Sequence, residues 1–285
     1  MKSLINLDEC TINALNLFSK SKLPKIKTTF KNPLVIGSGN AAALGKILFH
    51  GIYANESNYL EKLKTKKIDG CILISASAGK HSHIIAKELE SKKLKTILLT
   101  NNPIGKAKKF VTKTYIFPKN IEPYTYNTST YLGMILAKTG EDPKKILAFL
   151  KKLKIPSLKK YNSYYFIVPE KFDLIKEFFE TKFDELFGPM IQGEAFTFEQ
   201  TKHAKTVVKS NKELFISLGV DNKVFGKNRL NYKLPKSANF GLMFCLGYYI
   251  IGKIQKTNHP WFKENIESYV KEASKLFNEK IEILS

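Results

Sequence analysis

Arginine is almost absent from this chain: Arg229 is the only one, and the rest of the 47 basic residues are lysines. Against 25 acidic residues they leave a formal charge of +22, which draws polyanions to a surface without reading their sequence. Bidentate contacts to bases and phosphates come from guanidinium groups, so specific nucleic-acid binding is not expected, and the lysines are spread along the chain rather than gathered in one segment. The same charge favours small phosphorylated metabolites. Cysteine is also scarce. Cys10, Cys71 and Cys245 lie far apart with no CxxC or His-rich spacing, which excludes a disulfide framework and a zinc site, calls for no metal or cofactor, and suits a reduced cytoplasm. Long apolar runs are missing too: Phe240 to Gly252 falls short of the roughly twenty residues that span a bilayer. A buried helix, not a membrane anchor, is expected there. The first twenty residues carry Asp8 and Glu9 and no continuous apolar stretch, so they read as a docking helix rather than a signal peptide.

What is present is organised around Cys71-Ile-Leu-Ile-Ser75-Ala-Ser77-Ala-Gly79-Lys80-His81-Ser82. A short β-branched run of the kind that a parallel sheet buries on both faces breaks into small hydroxyl residues and a glycine, and the residues from Ile84 onward follow a helical period. A helix that opens behind such a loop presents unpaired amides and the positive end of its dipole, and Ser75, Ser77 and Ser82 add hydroxyls. Helix capping alone is the alternative. A second loop of this kind lies upstream, where the strand Asn32 to Ile36 runs into Gly37-Ser38-Gly39-Asn40 and an Ala-rich helix. It is not the full G-x-G-x-x-G fingerprint, and no acidic residue stands clearly at the end of a second strand to hold a ribose, so a nicotinamide enzyme is not expected. A third hydroxyl cluster, Thr128, Ser129 and Thr130, leads into a helix that ends near Lys138.

Further strands at 95–100 and 113–118 complete an alternation that gives a parallel sheet with right-handed crossovers. A flavodoxin-like strand order would set the Gly37 and Ser75 loops on either side of the topological switch point. Asp142-Pro143 starts a lysine-rich helix, and Pro156 marks a boundary. The second half repeats the pattern less cleanly, with strands at 164–169, 190–196, 213–218 and 230–234, helices at 172–186 and 199–209, and no second cradle. The expected organisation is an N-terminal helix and linker over 1–30, a first α/β unit with the anion loops over 31–155 and a degenerate copy with C-terminal helices over 156–285.

With these residues in view, the chain resembles the sugar isomerase (SIS) domain family in tandem form. Val35-Ile-Gly-Ser-Gly39 is similar to that family's first-strand loop, Ile74-Ser-Ala-Ser-Ala-Gly79 to its phosphate loop, and Asn127-Thr-Ser-Thr130 to its hydroxyl-rich helix start. The resemblance implies two flavodoxin-like three-layer αβα domains with parallel sheets, the second degenerate. It also implies a phosphate site made of Gly37, Ser38, Gly39, Asn40, Ser75, Ser77, Gly79, Lys80, Ser82, Thr128, Ser129 and Thr130. Gly193-Glu194-Ala-Phe196 with Gln200-Thr-Lys202-His203 is similar to the histidine segment of the isomerase domain of glucosamine-6-phosphate synthase and of dual phosphoglucose/phosphomannose isomerases. Phe183-Asp-Glu185 resembles the latter's basic glutamate segment. The catalytic set so implied is Glu185 as base, with Glu194 and Glu199 in reserve, His203 for ring opening and Lys263 for charge stabilisation. Carboxylate, imidazole and ammonium suit proton transfer through an enediol. Glu185 also reads as a solvated helix-end charge, and His203 as half of a surface pair with Glu199. The implied ligand is a sugar phosphate, bound by a homodimer that acts as an aldose-ketose isomerase. The alternatives are a non-catalytic phosphosugar-binding protein, or an ammonia-dependent glucosamine-6-phosphate synthase or deaminase. Glutamine hydrolysis is not expected of a chain that opens Met1-Lys2-Ser3.

Overall fold

The computed structural model describes residues 4–65, 67–79, 81–205 and 207–284; Lys80 lies outside them. Helix α1 (Leu7–Phe18) buries Leu7, Cys10, Ala14, Leu15 and Phe18, a stripe at helical spacing. The first sheet follows, with strands β1 (Pro33–Ile36), β2 (Ile52–Ala54), β3 (Gly70–Ile74), β4 (Thr96–Thr100) and β5 (Lys113–Ile116). All are parallel, in the order β2-β1-β3-β4-β5. Strands β1, β3 and β4 are buried throughout, which explains apolar runs without alternation. One face packs on helices α2 (Asn40–Leu48) and α5 (Thr128–Thr139), through Val35, Ile72, Ile74 and Leu99. The other face, with Leu34, Ile36, Leu73 and Leu98, packs on α3 (Tyr59–Thr65) and α4 (Ser82–Ser91). Helix α6 (Pro143–Lys152) starts where the Asp-Pro pair predicts, with the Asp142 carboxylate accepting the Lys144 amide at 2.8 Å.

The second sheet has four parallel strands, β6 (Ser163–Val168), β7 (Gln192–Thr197), β8 (Glu213–Leu218) and β9 (Asn228–Tyr232), in the order β7-β6-β8-β9. Its inner face packs on α7 (Lys176–Phe187) and α9 (Phe240–Thr257). Its outer face has only a small cluster of Tyr165, Ile167, Phe215 and Phe225, beside the short α8 (Phe198–Ala204). Helix α8 stops five residues before the expected 209, and the stretch expected as one helix from 172 begins as a 3-10 turn, Glu170–Ile175. Strand β2 was not legible, being a three-residue edge with a mixed pattern. The final helix is α10 (Trp261–Leu276), and no helix among the described residues is long and apolar enough to cross a membrane.

One apolar core runs from the inner face of the first sheet through α1, α5, α7 and α9 to the inner face of the second. Helix α1 lies so close on α9 that a Cβ at Gly252 would stand 1.9 Å from the Asp8 amide nitrogen, so only glycine fits. Lys253 pairs with the buried Asp8 carboxylate at 2.7 Å, and the Leu7 amide donates to Gln255 Oε1 at 2.9 Å. The start of α9 is closed from the first half of the chain: the Glu141 carboxylate accepts the amides of Asn239, Gly241 and Leu242 at 2.9, 2.6 and 3.1 Å. These amides have no acceptor within the helix, and the negative charge complements its dipole. Glu141→Ala is therefore expected to cost about 1 to 2 kcal/mol, read as a lower urea midpoint at unchanged slope.

Candidate functional site

The strand order fixes where a ligand can sit. From β1 the chain crosses to β2 on one side and from β3 to β4 on the other, although β1 and β3 are neighbours in register (Ile36 beside Leu73). The loops after β1 and β3 therefore flank the switch point at the carboxyl edge. In the first loop Gly37 lies against the first turn of α2, where a Cβ would stand 2.6 Å from the Ala41 carbonyl carbon. Gly39 caps α2 in the left-handed region (φ 52°), Asn40 is buried, and the exposed Ser38 hydroxyl donates to the Glu56 carboxylate.

In the second loop the carbonyls are committed on one side. Ala76 O accepts Thr100 Oγ1 at 2.9 Å and the Asn101 amide at 3.0 Å, Ser77 O accepts Asn102 Nδ2 at 2.9 Å, and Ala78 O accepts the Ala107 amide at 2.9 Å. A trans peptide puts its N–H opposite its C=O, so the Ser77 amide is turned away from these partners. Ser77 Oγ accepts the Gly79 amide at 3.2 Å, while the Ser82 amide and hydroxyl both donate to Gly79 O. Ala78 holds φ 48°, unusual for a residue with a side chain. The first-turn amides of α4 lie directly behind this loop. Ser75 and Ser77 are half-buried; Ser82 is buried.

The third hydroxyl cluster is occupied from within the chain. The Glu122 carboxylate, buried, accepts the Ser129 amide and hydroxyl at 3.2 Å each, the Thr130 hydroxyl at 3.2 Å and Cys10 Sγ at 3.0 Å. All three residues are buried; Ser129 and Thr130 are held by the carboxylate at the helix start, while the Thr128 hydroxyl has no hydrogen-bond partner among the described residues. Of these candidate phosphate ligands, Ser129 and Thr130 are thus engaged by a carboxylate of the chain itself.

Glu185 lies at the other end of the same neighbourhood. Helix α7 brings Lys182, wholly buried, and Glu185, with a side chain 24% exposed, together one turn apart as an ion pair. Lys182 Nζ also donates to Thr125 O at 2.5 Å, on the loop that follows β5. Thr125, a β-branched residue, holds φ 78°, a strained geometry of the kind that clusters at functional sites. Burial raises the Glu185 carboxyl above the ordinary glutamate range, with Lys182 pulling the other way. Thr125 and Glu185 border a cavity of about 380 Å³ whose walls include Phe187, Trp261, Phe262 and Tyr269. A second hollow, of about 500 Å³, lies between Pro156 and Tyr249; its two lysines, Lys253 and Lys256, already face Asp8 and Glu9.

The other candidates lie elsewhere. Glu194 joins a surface network with Lys205 (3.1 Å), which also holds Glu213 (2.9 Å). Glu199 pairs with Lys202 at 2.7 Å, in place of the pair with His203 that the sequence allows. His203 is exposed on α8. Lys263 is half-buried on α10, whose residues toward the cavity are Trp261, Phe262, Asn265, Ile266 and Tyr269. Arg229, the sole arginine, spends its guanidinium on the carbonyls of Lys223, Val224, Phe225 and Gly226 and binds no ligand from there. Sequence reasoning missed Lys182, although its spacing three residues before Glu185 is a readable signal. It missed Thr125 and Glu122 because only the fold brings them in. All three cysteines are free and buried, and no group of three His, Cys, Asp or Glu side chains among the described residues is placed to hold a metal ion.

No family model and no curated protein matches the sequence. Solved structures do match the fold. Glucosamine-6-phosphate deaminase from Thermotoga maritima superposes with a TM-score of 0.61 at 15% identity, over 88% of this chain and 92% of that one. Tagatose-6-phosphate ketose/aldose isomerase from Escherichia coli gives 0.57 at 10% identity, over 90% and 89%. The C-terminal domain of glucosamine-fructose-6-phosphate aminotransferase from Francisella tularensis gives 0.52 at 11% identity, over 88% and 93%. The SIS resemblance read from the sequence holds at the level of the fold, over nearly the whole chain.

Proposed function

We propose that the chain binds a sugar phosphate with the phosphate on the Ser75–Gly79 loop and interconverts its aldose and ketose forms through an enediol. The observation that carries this reading is Glu185, a carboxylate raised by burial and paired with a buried lysine, beside the loop that leaves the same sheet edge as the serine loop. A carboxylate in such surroundings can take a proton from one carbon and return it to the next. Lys182 offsets the negative charge that develops on the enediol oxygen. Proteins that share this fold include a glucosamine-6-phosphate deaminase and a tagatose-6-phosphate isomerase, which supports the ligand class. In this reading the protein works in the cytoplasm as a homodimer, and the exposed His203 of one protomer completes the site of the other by opening the sugar ring. Phosphosugar binding without turnover is the second reading; it is favoured by the position of His203 on α8, outside the lining of the Glu185 cavity.

A panel of hexose and pentose phosphates, assayed for thermal stabilisation and for conversion, separates the two. Conversion supports the enzyme; stabilisation without conversion supports the binding protein. Replacing Ser75 and Ser77 together by alanine is expected to weaken sugar-phosphate affinity about ten- to a hundredfold, measured by calorimetry, with the circular dichroism spectrum unchanged. Unchanged affinity in that variant would remove the phosphate from this loop.

A further inference from the structure

The C-terminal segment folds back over the serine loop and brings a carboxylate with it. After α10 the chain turns through Asn278 (φ 48°), and the Ile281 amide donates to Ser274 Oγ at 3.0 Å. The segment then lies on the loop that follows β5: the Tyr124 amide donates to Ile283 O at 2.7 Å, and Pro123 bridges to Leu284. Ile281 and Ile283 pack against the main core, so the segment is docked rather than loose. This path sets Glu279 Oε1 3.7 Å from the point where a Cβ on Gly79 would stand. Glu279 thus faces the one residue of the serine loop that has no side chain to keep it away.

Its second oxygen is the anomaly. Glu279 Oε2 is sealed from solvent and has no hydrogen-bond partner among the described residues. A carboxylate oxygen closed off without a donor is unfavourable, and the docked segment holds it there. Tyr124 lies between this carboxylate and the reacting one: after burial and the neighbouring Tyr269, Glu185 and Glu279 both push its hydroxyl up. A second sealed atom without a partner, His83 Nδ1, lies in the first turn of α4 behind the same loop.

We propose that Glu279 is a specificity-determining residue of this site, its carboxylate accepting a hydroxyl of the sugar whose phosphate the serine loop holds; this rests on the sugar-phosphate reading above. The electrostatics make the choice of ligand. A bare phosphate dianion on the loop meets repulsion from Glu279, whereas a phosphate that carries a polyol chain also brings hydroxyl donors to the carboxylate oxygen that faces Gly79. The site therefore discriminates in favour of hydroxylated phosphates through a residue some two hundred positions away from the loop that binds the anion.

The test is calorimetric titration of the full chain and of Glu279→Ala with fructose 6-phosphate, glucose 6-phosphate and inorganic phosphate. The sugar phosphate that binds the parent chain is expected to lose about tenfold in affinity on Glu279→Ala, while inorganic phosphate binds the variant as well as, or better than, the parent. Glu279→Gln, which keeps an acceptor without the charge, is expected to fall between. If the alanine variant binds sugar phosphate as tightly as the parent, or tighter, Glu279 is a competitor for the loop and the proposal is wrong. Equal losses for sugar phosphate and inorganic phosphate overturn it as well, since they mark a packing role. A parent chain that takes up inorganic phosphate but neither sugar phosphate fails the sugar-phosphate reading itself, and the assignment of Glu279 falls with it.

Discussion

Glu185→Gln is expected to slow aldose-ketose interconversion by a factor of about 10² to 10⁴ while leaving sugar-phosphate affinity within a few-fold of the parent. Glutamine keeps the size of the side chain and one acceptor for Lys182, so the ion pair becomes a hydrogen bond and the cavity keeps its shape. What is lost is the ability to hold the migrating proton. The pH profile gives a second readout. Because burial raises Glu185 above the ordinary 4.5 of glutamate, the acid limb of kcat/KM is expected above that value, and the residual rate of the variant should lack this limb. A variant that keeps full rate and the same acid limb would move the base to another residue.

The largest effect on stability is expected at Lys182. Its side chain is wholly buried between Glu185 and the Thr125 carbonyl, with its ammonium 5.8 Å from the ring centre of Tyr248. Lys182→Met leaves the Glu185 carboxylate buried without its counter-charge, a loss of about 3 to 5 kcal/mol at neutral pH. The direction with pH follows from the proton. A carboxyl that is harder to ionise folded than unfolded holds its proton more firmly in the native state. Its contribution is complete below the unfolded value of about 4.5 and is lost as pH rises through the higher folded one. Removing Lys182 lifts the folded value further, so the deficit of the variant is expected to be largest above neutrality and to shrink toward pH 5, measured by urea denaturation across that range. Adding Glu185→Gln to Lys182→Met removes the stranded charge, and the double variant should recover most of the loss. A double variant no more stable than Lys182→Met would show that the two side chains are not energetically coupled.

How much of this was legible in the sequence depended on range. The buried strands of the first sheet, the Asp142-Pro143 helix start and the hydroxyl loop after β3 are written in consecutive residues, and their period or composition is enough to read them. Strand β8 was readable end to end at Glu213–Leu218 because it is a short apolar run between polar flanks. Strand β9 lies two residues upstream of the expected 230–234, since its alternating polar residues give the pattern no sharp edge. The site was readable only in part. Ser75, Ser77 and Glu185 sit in local motifs. In contrast, the engagement of Ser129 and Thr130 by Glu122 depends on a carboxylate that the loop folds back, and Glu279 reaches Gly79 only through the whole tertiary fold. Hydroxyl-rich helix starts look alike in sequence whether they wait for a ligand or are already satisfied.

The bond from Lys182 to the Thr125 carbonyl crosses from the second half of the chain to the first. In consequence the two halves are not interchangeable: the serine loop lies in one, and the Lys182–Glu185 ion pair in the other. Drift is then free on the thin outer side of the second sheet and constrained along α7. On the proposed reading, a lineage that trimmed the later half to its inner layer would keep both parts of the site, whereas one that severed the chain near residue 155 would strand the loops on one fragment and the carboxylate on the other.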